Sequence, residues 1–422
     1  MERHSAERVP ASDVVCRLVE GARKSGPGWL LSAYTLGSGT AITSVLAGAN
    51  YGYSLLWVNP LAMLIGVTVL SGAAYFALSS DKSPFHRFRT ELSPALAYAW
   101  GIGSLLASVI WHLPQYAMVY AVTQELGGFQ AGVISQLITG AVVLGMATTL
   151  TWQYSRSSGM LIYEAIMKLF VWMTVVCLFI LMFKLPVDWG EVGRGLVSFG
   201  MPKGSSIFIF GLLGAAVGIN MTFLYPYSVR CKGWTAAEAG IARRDLLLGM
   251  FLPFVVATGM LIIASAATLH GTEVDKTRIT QIAHVFTPAF GPKVGPTLFL
   301  LGLLAMPLGT ITLHMLTCGF ILGEMTGTEQ GGRMWKLGSL IPAVGVLGVA
   351  YPMPVWLPVP TSALCLMLLP IAYIGFAILF RRDLRRVGAA PLSGSQVQLY
   401  LTFAAIAVVT FAAAVKLKSM FF

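Results

Sequence analysis

A bilayer-length apolar run that is broken at its centre leaves a chain few ways to fold. The stretch from Gly26 to Trp57 is such a run: GPGWLLSAYTLGSGTAITSVLAGANYGYSLLW. Crossing a bilayer takes roughly 20 apolar residues. The middle of this run, Leu36-Gly37-Ser38-Gly39-Thr40, suits a continuous helix poorly. Each glycine inside a helix costs about 1 kcal/mol relative to alanine. Gly-Ser-Gly with a threonine behind it reads as a helix end followed by a new N-cap. The expectation is one span built from two half-helices. In lipid, backbone groups without partners are tolerated only against protein or a water-filled cavity. The break is therefore expected to face a site.

Composition sets the class. The chain has 422 residues, of which 56% are hydrophobic and 11% charged. A soluble domain carries about 25% charged residues. An all-α polytopic membrane protein with one transmembrane domain follows. The net charge of +11 does not indicate nucleic acid, because the basic residues sit in short connections between apolar runs, as cytoplasmic loops do. The cysteines Cys16, Cys177, Cys231, Cys318 and Cys365 are scattered, with no CxxC spacing. Mixed polar residues precede the first apolar run, unlike a signal peptide. No ATP-binding loop, HExxH helix or placed serine nucleophile is found, so neither an enzyme nor a cofactor is expected.

Eleven spans are expected, over 27–50, 53–79, 95–123, 130–151, 160–184, 206–230, 245–269, 295–322, 336–350, 355–380 and 397–417. Residues 1–26 form an N-terminal segment, amphipathic over 8–24, that suits the cytoplasmic membrane surface or else a disordered tail. Residues 27–422 form the single transmembrane domain. Basic residues such as Arg87, Arg89, Arg243, Arg244, Arg381 and Arg382 fall on the N-terminal side of the membrane, with fewer, such as Lys184 and Lys293, opposite. This bias puts the N-terminus in the cytoplasm of a cell-membrane protein.

The sixth span is the second irregular one. Gly218-Ile219-Asn220-Met221-Thr222 lies at its centre, and Pro226 beyond forces a kink or break upstream. Glycines also serve close helix packing, but two interrupted spans five apart have the arithmetic of an inverted repeat. Paired interrupted spans point to a transporter's site. The repeats would cover about 27–184 and 206–380, with 397–417 as an extra helix.

Several stretches resemble the Nramp family of divalent-metal transporters. Gly26-Pro27-Gly28, Ala47-Gly48-Ala49 and Gly52-Tyr53-Ser54-Leu55-Leu56-Trp57 are similar to its first span, and Gly211-Leu212-Leu213-Gly214 to its sixth. Gly302-Leu303-Leu304-Ala305 with Thr310-Ile311-Thr312 resembles its eighth span, and Leu369-Pro370-Ile371-Ala372 its tenth. The resemblance implies a LeuT-type fold of two inverted five-helix repeats plus one helix, often driven by protons. The family's metal motifs do not carry over. Its Asp-Pro-Gly-Asn falls on Gly37-Ser38-Gly39-Thr40, and its Met-Pro-His on Gly218-Ile219-Asn220. A further histidine falls on Tyr225, and a tenth-span glutamine on Ser362. Acidic residues of its third span, linked to proton movement, fall on small or apolar residues around Ser104–Ser108.

The expected substrate-binding residues are thus Gly37, Ser38, Gly39, Thr40, Gly218, Asn220, Thr222, Tyr225 and Ser362. Tyr34, Trp111, Tyr116, Phe223 and Tyr225 could supply walls. Hydroxyls, one amide and free backbone offer little to replace the water shell of a divalent ion. A small polar or zwitterionic organic solute is the leading expectation. A divalent ion of the magnesium or manganese type is the alternative, and a membrane sensor or scaffold a more distant one. His112, Glu164 and His314 are the candidates for coupling to a proton, since ionisable groups at membrane depth are functional candidates. Glu164 and Lys168, four apart, are expected to pair on one helical face. Asp245 is expected at the membrane interface.

Overall fold

The computed structural model describes residues 25–272, 279–351, 358–386 and 395–421. The amphipathic segment expected over 8–24 lies outside them. Among the described residues the chain is helical, with no strand. The first span divides into α1 (Pro27–Thr35) and α2 (Ser38–Tyr51), bent by 57°. The join is tighter than expected. Helix stops at Thr35, Leu36 and Gly37 leave helical geometry, and Ser38-Gly39-Thr40 already form the first turn of α2. Gly37 is the N-cap and supplies no side-chain oxygen.

Next come α3 (Val58–Leu78), the 34-residue α4 (Pro94–Gly127), α5 (Val133–Gln153) and α6 (Ser157–Met182). The sixth span divides into α7 (Ser206–Ala216) and α8 (Ile219–Cys231), separated by extended Val217 and Gly218. Pro226 sits inside α8, so the interruption lies at the glycine and not at a proline kink. The two breaks also differ in shape: among the described residues only the first span bends by more than 40° at its break.

The seventh span runs through α9 (Ala239–Leu246), a π-helical turn and α10 (Leu252–Leu269). The 33-residue α11 (Val294–Thr326) packs along α4 and α6. The expected ninth span is α12 (Arg333–Leu340) followed by a 3-10 stretch, Ile341–Val349, laid against α4. The expected tenth is again two pieces, α13 (Pro358–Leu366) and α14 (Leu369–Arg386), and α15 (Ser395–Phe421) ends the domain. By length and apolar composition, eight helices among the described residues can cross a membrane, or nine with the bent first pair. The other two of the expected eleven are these short pieces.

Burial follows position in the bundle. The apolar windows of α3 and α11 are 72% and 78% buried, and that of α5 only 17%. The outer face of α5 exposes Ile134, Leu137, Ile138 and Val142, and that of α6 exposes Leu169, Trp172, Val176 and Phe179. Such apolar faces suit the lipid of a bilayer, where helices satisfy their own backbone. Near the centre, α7 lies on α13 so closely that a Cβ at Gly214 would stand 2.0 Å from the Ser362 carbonyl oxygen. Only glycine allows that approach.

Candidate functional site between the broken helices

The two breaks face one another, and threonines from distant helices finish their ends. A helix terminus leaves carbonyls without intrahelical partners. The Thr35 hydroxyl, at the end of α1, reaches the Ala215 and Ala216 carbonyls at the end of α7, both at 2.8 Å. The Thr310 hydroxyl of α11 lies 3.1 Å from the Ala33 carbonyl and 3.3 Å from that of Tyr34. The Thr40 hydroxyl donates back to the Thr35 carbonyl across the first break. At the start of α2, the Ser38 N–H donates to Gln115 Oε1 of α4 at 2.8 Å.

Between these ends lies a cavity of about 40 Å³. Of the expected substrate-binding residues, Gly37, Gly39, Thr40, Gly218, Asn220 and Ser362 line it. Ser362 Oγ is buried and has no hydrogen-bond partner among the described residues. Asn220 Oδ1 accepts the Met221 N–H at 3.0 Å, and its Nδ2 is 3.4 Å from Ser108 Oγ. Tyr34 and Trp111 supply walls, as expected, and Trp111 Nε1 is held by Cys365 Sγ at 2.9 Å.

Three expected members are elsewhere. Ser38 offers its backbone to Gln115, and its own Oγ is buried without a partner among the described residues. Thr222 accepts Trp100 Nε1 at 3.0 Å and donates to the Ile219 carbonyl, a structural role within α8. Tyr225 is fully buried, its hydroxyl 3.4 Å from the Ala242 carbonyl on α9. Tyr116 and Phe223 pack in the core. Helical periodicity turns Thr222 and Tyr225 off the face that Asn220 and Met221 present.

The candidates for proton coupling separate as well. His314 lines the cavity, and its Nδ1 lies 3.4 Å from His112 Nδ1, in the fully buried ring behind it. Glu164 does not pair with Lys168 by hydrogen bond. Its carboxylate binds Lys232 Nζ at 2.6 Å, with both side chains buried. Asp245 is buried: its carboxylate accepts the Gly26 and Gly28 N–H groups at 3.1 and 2.6 Å, capping the start of α1. Gln115, Met221 and Thr310 also line the cavity, with Thr35, Gly214 and Ala215, and were not foreseen as site residues. A polar residue inside an apolar span, such as Gln115, was the available signal.

No group of three or more His, Cys, Asp or Glu side chains among the described residues is placed to hold a metal. The donors around the cavity are hydroxyls, two amides, one imidazole and one thioether.

Residues 28–419 match the family model for natural resistance-associated macrophage protein-like (Nramp) proteins. The chain belongs to the Nramp family. Among its curated Nramp relatives is the divalent metal cation transporter MntH of Deinococcus radiodurans, 26% identical over 76% of this chain and 73% of that protein. The protein of the same name from Granulibacter bethesdensis is 24% identical over 70% of this chain and 68% of its own length. In three dimensions the chain resembles a mutant of the Eremococcus coleocola manganese transporter, with TM-score 0.69, 16% identity and 98% of each chain covered. It also resembles Mhp1, a nucleobase-cation-symport-1 family transporter, with TM-score 0.62, 15% identity and coverage of 93% and 90%. The Nramp chain is thus an integral membrane transporter of LeuT-type fold, with inverted five-helix repeats and interrupted helices one and six.

Proposed function

We propose that this Nramp-family protein carries a divalent metal ion across the cell membrane by alternating access around the α1/α2 and α7/α8 breaks, with its N-terminus in the cytoplasm. The observation that carries this reading is the cavity between the breaks: about 40 Å³, lined by oxygen donors that include the Ser362 hydroxyl, which has no partner among the described residues. A water needs roughly 10–15 Å³ of such space. The space accommodates about three waters, or an ion with part of its hydration shell. Drug-sized organic ligands occupy cavities of roughly 300 Å³ or more. The relatives named as divalent metal cation transporters support the same choice. The organic solute expected from the loss of the metal motifs finds no support in either.

Chemistry sets the character of the site. With no carboxylate on the cavity, the ion keeps much of its water, and affinity is low compared with a charged cage. A proton gradient is the driving force that the family resemblance leads one to expect. The test is uptake into proteoliposomes. Saturable entry of manganese or magnesium is expected, accelerated by an inward proton gradient. It should fall at least tenfold in Gly37→Val, whose side chain would meet Thr310 Oγ1, 2.8 Å from the Cβ position. Entry of small organic ions or amino acids with no saturable entry of either metal would overturn the proposal.

A further inference from the structure

On the divalent-ion reading, we infer that His314 is a ligand to the transported ion through its Nε2, held in the right tautomer by His112. The site then favours first-row transition ions over magnesium. The argument begins with the rings. His314 lines the cavity while only 2% exposed. Its Nδ1 lies 3.4 Å from His112 Nδ1. Two neutral imidazoles at that separation share one proton, so one Nδ1 donates and the other accepts.

The tautomer decides what the cavity meets. When His314 Nδ1 carries the shared proton, its Nε2 presents a lone pair to the cavity. A metal-bound histidine donates its other N–H to a fixed partner in just this way, and the partner sets ring orientation and basicity. In this arrangement His112 accepts through Nδ1 and carries its own proton on Nε2, an atom buried without a partner among the described residues. His112 is therefore a positioning residue. Its ring is packed against the 3-10 stretch, where a Cβ at Gly345 would stand 2.6 Å from it, so it cannot swing away.

The donor set gives the selectivity. His314 and Met221 share a cavity whose other donors are neutral oxygens. Imidazole and thioether suit transition ions, whereas magnesium prefers oxygen. These donors stand at positions other than those on which the family's motifs fall.

Pulsed electron spin resonance of manganese bound to the purified full-length protein tests this directly. Nitrogen coupling of the imidazole type is expected in the parent protein, and its loss in His314→Gln. Cobalt affinity should fall at least tenfold more than magnesium affinity in that variant. His112→Leu should lower cobalt affinity about tenfold, and His112→Gln, which can still accept the Nδ1 proton, should restore most of it. Bound manganese without nitrogen coupling overturns the inference and leaves the divalent-ion reading standing. Absence of any binding or uptake of manganese, cobalt and magnesium overturns that reading and this inference together. The spectrum of the parent protein decides the matter even where a variant fails to fold.

Discussion

Gln115 Oε1 accepts the N–H of Ser38 at 2.8 Å, so a side chain of the third span caps the second half of the first. Gly37, the backbone N-cap, has no side chain to do this. Losing the partner of a buried donor costs about 1–3 kcal/mol. Gln115→Leu should lower the thermal stability of the purified protein accordingly and cut metal uptake. Gln115→Glu keeps the acceptor and adds a negative charge at a helix N-terminus beside the cavity. Its expected effect is tighter binding of manganese and magnesium, read by isothermal titration.

Gly39 stands against Trp111. A Cβ there would lie 2.5 Å from the indole ring and 3.4 Å from Ser362 Oγ. Gly39→Val should therefore fill the cavity and reduce uptake at least tenfold. Gly145, on α5, has open space where a Cβ would go. Gly145→Ala, the matched control, should change uptake less than twofold.

The Glu164–Lys232 pair joins α6 to the end of α8, with side chains only 3% and 2% exposed. Breaking a buried pair by removing one partner costs about 3–5 kcal/mol, because a charge is left buried. Lys232→Met should destabilise the protein by about that amount. Adding Glu164→Leu should recover most of the loss, since a buried pair replaced by apolar groups is often neutral. Thermal unfolding of the two singles and the double in detergent measures the coupling. Additive losses would contradict it.

Asp245 caps α1 through Gly26 and Gly28. Removing an N-cap side chain costs about 0.5–2 kcal/mol. Asp245→Ala should loosen the start of α1 by that amount, seen as faster hydrogen exchange at residues 26–30. Asp245→Asn should retain part of the protection, through its remaining carbonyl oxygen.

Much of this protein was legible in its sequence because the signals are local. Apolar runs of bilayer length mark most spans. Gly37 and Gly218 mark the breaks, since backbone entropy disfavours glycine within a helix. The positions of these two breaks then placed Gly37, Gly39, Thr40, Gly218 and Asn220 around one cavity. The short ninth and tenth pieces were harder to read, because tertiary packing and not length holds them.

Local rules also misled where a distant partner competes. The four-residue spacing of Glu164 and Lys168 satisfies a helix rule, yet Lys232 takes the carboxylate. Thr222 and Tyr225 follow the broken helix in sequence, yet helical rotation turns them into the core. The sequence by itself determined that the chain is a membrane helix bundle interrupted at two matched places, because those facts depend on hydrophobicity and backbone freedom. Which atoms close the broken ends, and which donors meet a cargo, only the tertiary structure decided. Gln115, Thr310, His112 and His314 come from helices far along the chain. Their hydrogen bonds exist only once those helices pack together.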